Sequence, residues 1–106
     1  MKRGILQRGI TSFLDLIALS LLRHGPMHGY GLIAEIHDRF RVLISPGTPD
    51  PLLSQLEEAG LVNSSVDKRR RRTYHLVDKG EKRLEEMLQR LSEFEETLSQ
   101  LEEEQS

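Results

Sequence analysis

The chain has 106 residues, 37% of them hydrophobic, 30% charged and 5% aromatic, with a net charge of −2. That suits one small domain with at most an appendage, and a chain so short gains much from packing against a second copy of itself. The absence of cysteine excludes disulfides, a thiolate zinc site and a cysteine nucleophile, and fits a reducing, cytoplasmic setting. The longest nearly apolar run, residues 13–22, contains Asp15 and falls short of the roughly 20 residues that span a bilayer, so no membrane partner is expected. Charge is segregated along the chain. Residues 1–65 balance six basic against six acidic side chains, residues 66–77 hold five basic and one acidic, and residues 78–106 hold four basic and ten acidic. A local excess of this kind, rather than the net charge, decides whether a polyanion is attracted.

Phe13, Leu14, Ile17, Ala18, Leu21 and Leu22 recur at helical spacing, with Leu16 and Leu19 broadening the apolar surface. This predicts a first, core helix capped by Thr11 or Ser12 and ended by Gly25-Pro26. A second helix is expected to open near Met27 and His28, with Tyr30, Ile33, Ile36 and Phe40 on one face. On this reading Gly29 permits a tight start, Tyr30 fills the core or else contacts a phosphate backbone, and His28 either serves that start or donates to a phosphate. Residues 42–44 form a short β-like run stopped by Ser45-Pro46-Gly47. Thr48 then reads as an N-cap, with Pro49 and Pro51 tolerated in the first turn and Asp50 favoured at the positive end of the helix dipole. At about 100° per residue this third helix points Leu52, Leu53, Leu56 and Ala59 one way and Asp50, Pro51, Ser54 and Glu58 the other, before Gly60 stops it. Residues 61–66 and 72–77 are strand candidates on either side of Asp67-Lys68-Arg69-Arg70-Arg71, a hairpin with a very basic tip.

The final segment, residues 78–104, is the most regular. Leu84, Met87, Leu91, Phe94, Leu98 and Leu101 are spaced 3, 4, 3, 4, 3, and Leu88 widens the stripe. These are a and d heptad positions, which seek a partner helix. At about 1.5 Å per residue the segment is roughly 40 Å long, more than a domain this small can cover by itself. The predicted architecture is therefore mainly α, an α+β winged helix-turn-helix over residues 1–77 followed by a long C-terminal dimerisation helix over residues 78–106.

In such a fold the third helix enters the major groove and the hairpin lies along the phosphate backbone. Thr48, Asp50, Ser54 and Gln55 are the candidate groove residues, since a glutamine reads adenine and a carboxylate can accept from a cytosine amino group. Asp50 reads equally well as a local helix-start residue. Lys68, Arg69, Arg70, Arg71 and Arg72 attract phosphates whatever the sequence, with Tyr74 packed on the hairpin and its hydroxyl toward a phosphate, and Lys2 and Arg3 as further backbone contacts. Leu16 joins the heptad residues as a candidate for the dimer interface. His24 and His28 straddle Gly25-Pro26 rather than sharing one helix face, so no metal site is expected. No phosphate-binding glycine loop or nucleophile elbow occurs, so neither enzyme chemistry nor a cofactor is expected.

The runs Gly25-Pro26-Met27-His28-Gly29-Tyr30-Gly31-Leu32-Ile33, Ser45-Pro46-Gly47-Thr48, Leu56-Glu57-Glu58-Ala59-Gly60-Leu61-Val62 and Arg72-Thr73-Tyr74-His75-Leu76-Val77-Asp78-Lys79-Gly80 resemble the PadR family of transcriptional regulators over residues 10–90. The single short C-terminal helix is similar to that of the small PadR-like subfamily. The resemblance implies a cytoplasmic homodimer on a palindromic operator in double-stranded DNA, usually a repressor, in a subfamily where some members bind flat aromatic ligands at the dimer interface. Two departures bear on it. Pro49-Asp50-Pro51 stands where the family has an apolar residue, a DNA-facing tyrosine and a proline, and there is no tryptophan to stack a drug-like ligand. Two other readings stand beside the regulator: a winged-helix module that recruits a protein partner after losing its DNA reading, and a ligand-gated sensor of small aromatic compounds.

Overall fold

A computed structural model describes residues 2–41 and 49–105, with side chains for 13–41 and 51–104. The elements run α1 (Lys2–Arg23), β1 (Met27–His28), α2 (Gly29–Phe40), α3 (Pro49–Glu58), β2 (Val62–Val66), β3 (Arg72–Leu76) and α4 (Asp78–Gln105). The three strands form one antiparallel sheet in the order β1-β3-β2. Val62 faces Leu76, Ser64 faces Tyr74 and Val66 faces Arg72 across the hairpin, while Met27 faces Tyr74 and His28 faces Thr73 on the other edge.

The core gathers one apolar stripe from each helix. Leu19 and Leu22 of α1, Leu32 and Ile36 of α2, Leu53 and Leu56 of α3, Leu84 of α4, and Val62 and Tyr74 of the hairpin are all buried together. Each such leucine contributes about 1.5–3 kcal/mol through removal from water. The end of α3 is set by a left-handed residue, Gly60 with φ +77°. Its N–H donates to Glu57 O at 2.9 Å and that of Leu61 donates to Leu56 O at 3.0 Å. This is the paired 5→2 and 6→1 bonding that turns a helix into the following strand. Gly80, in the first turn of α4, lies directly against the Leu61 carbonyl. That contact sets α4 tightly on the α3–β2 turn. An ion pair from Arg23 Nη2 to Glu85 Oε1 at 3.1 Å ties α1 to α4 nearby.

Several expectations are corrected here. Helix α1 extends back to Lys2 instead of starting at a Thr11 or Ser12 cap. Met27 and His28 are not the opening of α2 but a two-residue strand, paired with β3 and with Met27 packed against the core. Tyr30, expected in the core, is 82% exposed, because α2 buries the Leu32 and Ile36 stripe instead. Ala59, counted with the buried face of α3, lies just past its end and is exposed. Leu84 has no exposed surface and belongs to the protomer core, not to a dimer interface. Leu16 and Met87, also expected at that interface, are half-buried against the same core. The α4 stripe thus changes role along its length. Its first turns complete the core, and from Ser92 to Glu104 every residue is exposed.

Candidate nucleic-acid interface

On α3 the apolar residues Leu52, Leu53 and Leu56 face inward, and the i+3/i+4 rule then turns Ser54, Gln55 and Glu58 to solvent, with Glu57 half-buried at the flank. Ser54 and Gln55 therefore sit where the sequence pattern put them. Asp50 lies within α3 and Lys2 and Arg3 within α1, but their side chains are outside the described residues, as are all of Thr48 and the expected strand at 42–44.

The wing owes its shape to Asp67. Its backbone N–H donates to Arg71 O at 2.9 Å, and its own carbonyl accepts from the Arg70 N–H at 3.0 Å. Arg70 sits in the left-handed region at φ 62°. This is the three-residue hairpin loop, a turn followed by an αL residue, in which glycine is the usual occupant. The Asp67 carboxylate reinforces the loop: Oδ1 accepts from the N–H groups of Arg71 at 2.9 Å and Arg69 at 2.8 Å, and Oδ2 from Arg71 Nε at 3.1 Å. The Arg71 N–H, with that of Arg69 and the Arg71 guanidinium, holds the Asp67 carboxyl below the usual aspartate range despite some opposing desolvation. It stays ionised and pins the loop. A non-glycine residue at positive φ costs about 1–2 kcal/mol, so the loop accepts strain where a glycine would relieve it and in exchange carries one more guanidinium.

The five cations are consequently not equivalent. Arg71 is drawn back onto Asp67, and Arg72 Nη1 donates to Ser64 Oγ at 2.9 Å. Among the described residues the side chains of Lys68, Arg69 and Arg70 form no ion pair or hydrogen bond, and all three are exposed at the tip. Tyr74 is only 3% exposed. This corrects the expected phosphate contact, since the residue is packed into the hydrophobic core. His28 is half-buried, and its Nδ1 shares a hydrogen bond of 3.0 Å with Thr73 Oγ1 of the facing strand. That accounts for the histidine as a staple of β1 to β3. Asp67, Glu57 and Ser64 were not among the expected site residues. Only Asp67 leaves a local signal, an aspartate opening a hairpin loop.

Residues 18–86 match the model of the transcriptional regulator PadR-like family, spanning more than half of the chain. The chain belongs to the PadR-like family of transcriptional regulators. Solved structures agree with that assignment. The chain is 30% identical to a candidate transcriptional regulator of Thermoplasma acidophilum, covering 89% of this chain and 92% of that one with a TM-score of 0.75. A PadR family transcription regulator of Clostridium difficile aligns at 23% identity over 84% and 97% of the two chains, TM-score 0.78. A winged-helix DNA-binding protein from STIV aligns at 22% identity over 74% and 85%, TM-score 0.63, and shares the fold. No curated protein sequence gives a significant match. As a PadR-like protein the chain is a transcriptional regulator on a winged helix-turn-helix frame, with α2 and α3 as the helix-turn-helix and β2–β3 as the wing. Among its described residues no helix is long and apolar enough to cross a membrane, and no three His, Asp or Glu side chains are grouped as metal ligands would be.

Proposed function

We propose that this PadR-like protein binds operator DNA as a cytoplasmic homodimer and represses transcription from it. The observation that carries the proposal is the pairing of an outward polar face on α3, Ser54 and Gln55, with a wing tip whose Lys68, Arg69 and Arg70 side chains are exposed and held out by the Asp67-pinned loop. In this reading α3 enters the major groove with Thr48, Asp50, Ser54 and Gln55 toward the bases, and the wing tip follows the phosphates. Residues 1–77 act as the reading domain and residues 78–106 as the dimerisation element. Support for the latter is the exposed apolar run Leu88, Phe94, Leu98 and Leu101, with half-buried Leu91, on a helix that leaves the protomer's core after its first turns. Two such helices packed together would hold two reading heads about one DNA turn, roughly 34 Å, apart. A flat aromatic effector would act by changing that spacing, without the tryptophan stacking that this chain lacks.

The test is fluorescence anisotropy with DNA from the protein's own upstream region and with a scrambled duplex, each at several salt concentrations. Tight binding to the first alone supports a specific regulator. Equal and steeply salt-dependent binding to both leaves only the electrostatics of the wing, and absence of binding favours the partner-recruiting alternative.

A further inference from the structure

Three side chains on three elements are linked in series between the recognition helix and the base of the wing. Glu57, on the last turn of α3, accepts at Oε2 from Ser64 Oγ of β2 at 2.8 Å. The same Ser64 oxygen accepts from Arg72 Nη1 of β3 at 2.9 Å. A hydroxyl has one proton to give and two lone pairs to offer, so the carboxylate that takes the proton also orients the lone pair presented to the arginine. Strand register explains why these groups meet. Ser64 lies opposite Tyr74 and Arg72 is two residues before Tyr74, which makes Ser64 and Arg72 diagonal neighbours on the sheet face that carries buried Val62 and Tyr74. Arg72 thus leans across the sheet toward α3, whereas the loop cations project at the tip. Together with Ser54, Glu58 and Tyr74, Glu57 and Arg72 line a cleft of about 460 Å³ between helix and wing.

Acids on a helix that approaches phosphates oppose binding unless they are compensated. A free arginine must also give up several rotatable bonds when it docks. The series answers both conditions, since Glu57 is bonded through Ser64 to a cation, and that cation is already held. Arginine carries five N–H donors and this chain uses Nη1, which leaves others for a phosphate.

We propose that Ser64 is a positioning residue of the DNA interface: it clamps Arg72 to the recognition helix through Glu57, so that the wing base and α3 meet DNA as one unit with Arg72 set against a phosphate at the groove edge. The inference rests on the DNA-binding reading above. Its consequence is that Ser64, which touches no DNA, governs the ratio of specific to non-specific affinity, because only the correctly seated complex benefits from a pre-placed arginine.

The test uses full-length protein, a duplex enriched by the wild type from a random-sequence pool, and a scrambled duplex of the same composition. Ser64→Ala should weaken the enriched duplex about tenfold and leave the scrambled one within about twofold. The salt slope should stay unchanged, because the charge of Arg72 remains. Ser64→Thr, which keeps the hydroxyl, should restore the ratio, and Glu57→Ala should lower it as Ser64→Ala does. Arg72→Gln should flatten the slope by about one unit, and adding Ser64→Ala to it should cost nothing further, since the two act through one contact. With melting temperatures unchanged, a wild-type ratio in Ser64→Ala or additive losses in the double variant would overturn the clamp while leaving the DNA reading intact. Failure of the wild type to enrich any sequence would overturn the DNA reading and the clamp with it.

Discussion

Replacing Gly80 by alanine probes the joint on which the geometry of α4 depends. A Cβ built there falls far inside the ordinary C···O separation of about 3.3 Å from Leu61 O, and also meets Leu76 Cδ1 at 2.8 Å and the Leu61 carbonyl carbon at 2.9 Å. Two of these three atoms are backbone, so no rotamer change relieves the overlap. The first turn of α4 must move off the α3–β2 turn, which strains the Val77 N–H bond to Leu61 O at 3.3 Å and loosens Leu84, which has no exposed surface. Overpacking of this kind costs about 1–3 kcal/mol and a lost backbone hydrogen bond about 1, offset by up to about 1 from the better helix propensity of alanine. The net is roughly 1–4 kcal/mol, and each kcal/mol lowers the melting point by about 4–8 °C for a domain of this size. Thermal unfolding followed by circular dichroism, at one fixed protein concentration, measures it. Gly31→Ala is the control, because a Cβ there meets open space within a helix, and it should stabilise by about 0.5–1 kcal/mol. A Gly80→Ala variant melting within about 2 °C of wild type would refute the reasoning.

Arg70→Gly separates the wing's two properties: relief of the positive φ should raise stability by about 1 kcal/mol, while the slope of log affinity against log salt falls by about one unit. A steeper or unchanged slope in the titration would take Arg70 off the phosphates. Leu98→Glu places like charges at the proposed helix pairing and should yield monomers in sedimentation, with operator affinity lowered about 10²–10⁴-fold as the second head is lost. A variant that remains dimeric at micromolar concentration would move the interface elsewhere. Asp15, half-buried on α1, has its carboxyl raised above 3.8 by desolvation, partly countered by Arg83 of α4. The folded protein therefore holds that proton more tightly than the unfolded chain does, so the contribution of Asp15 to stability is fully present below 3.8 and is lost as pH rises through the folded value. Asp15→Asn should melt higher than wild type at neutral pH, with the gap closing on acidification, and equal melting curves at neutral pH would count against burial as the cause.

Much of the architecture was legible in the residues because it is encoded locally. Helical periodicity marked the body of α1, the pairing of Thr48-Pro49 with Gly60 bracketed α3, and Asp67 ahead of a basic run marked the wing. The two-residue strand at Met27–His28 has no period to read and is defined by its pairing with β3. Tyr30 and Leu84 were misplaced for a related reason. Periodicity shows which residues of a helix share a face, but which stripe is covered, and for how many turns, depends on what packs against it. The same heptad run that reads as one uniform dimer seam is split by tertiary packing into a buried start at Leu84 and an exposed continuation through Phe94, Leu98 and Leu101.

The candidate site divides along the same line. The amino-acid sequence by itself determined the charge segregation, the basic tip and the exposed polar positions Ser54 and Gln55, since each follows from neighbours within a few residues along the chain. Only the tertiary structure decided which cations are presented and which are held: Arg71 bent back on Asp67, Arg72 tied through Ser64 to Glu57, and Lys68, Arg69 and Arg70 left at the tip. These partners lie on different strands and on a helix, and a hydrogen bond depends on ångström-scale placement that strand register and helix packing set together.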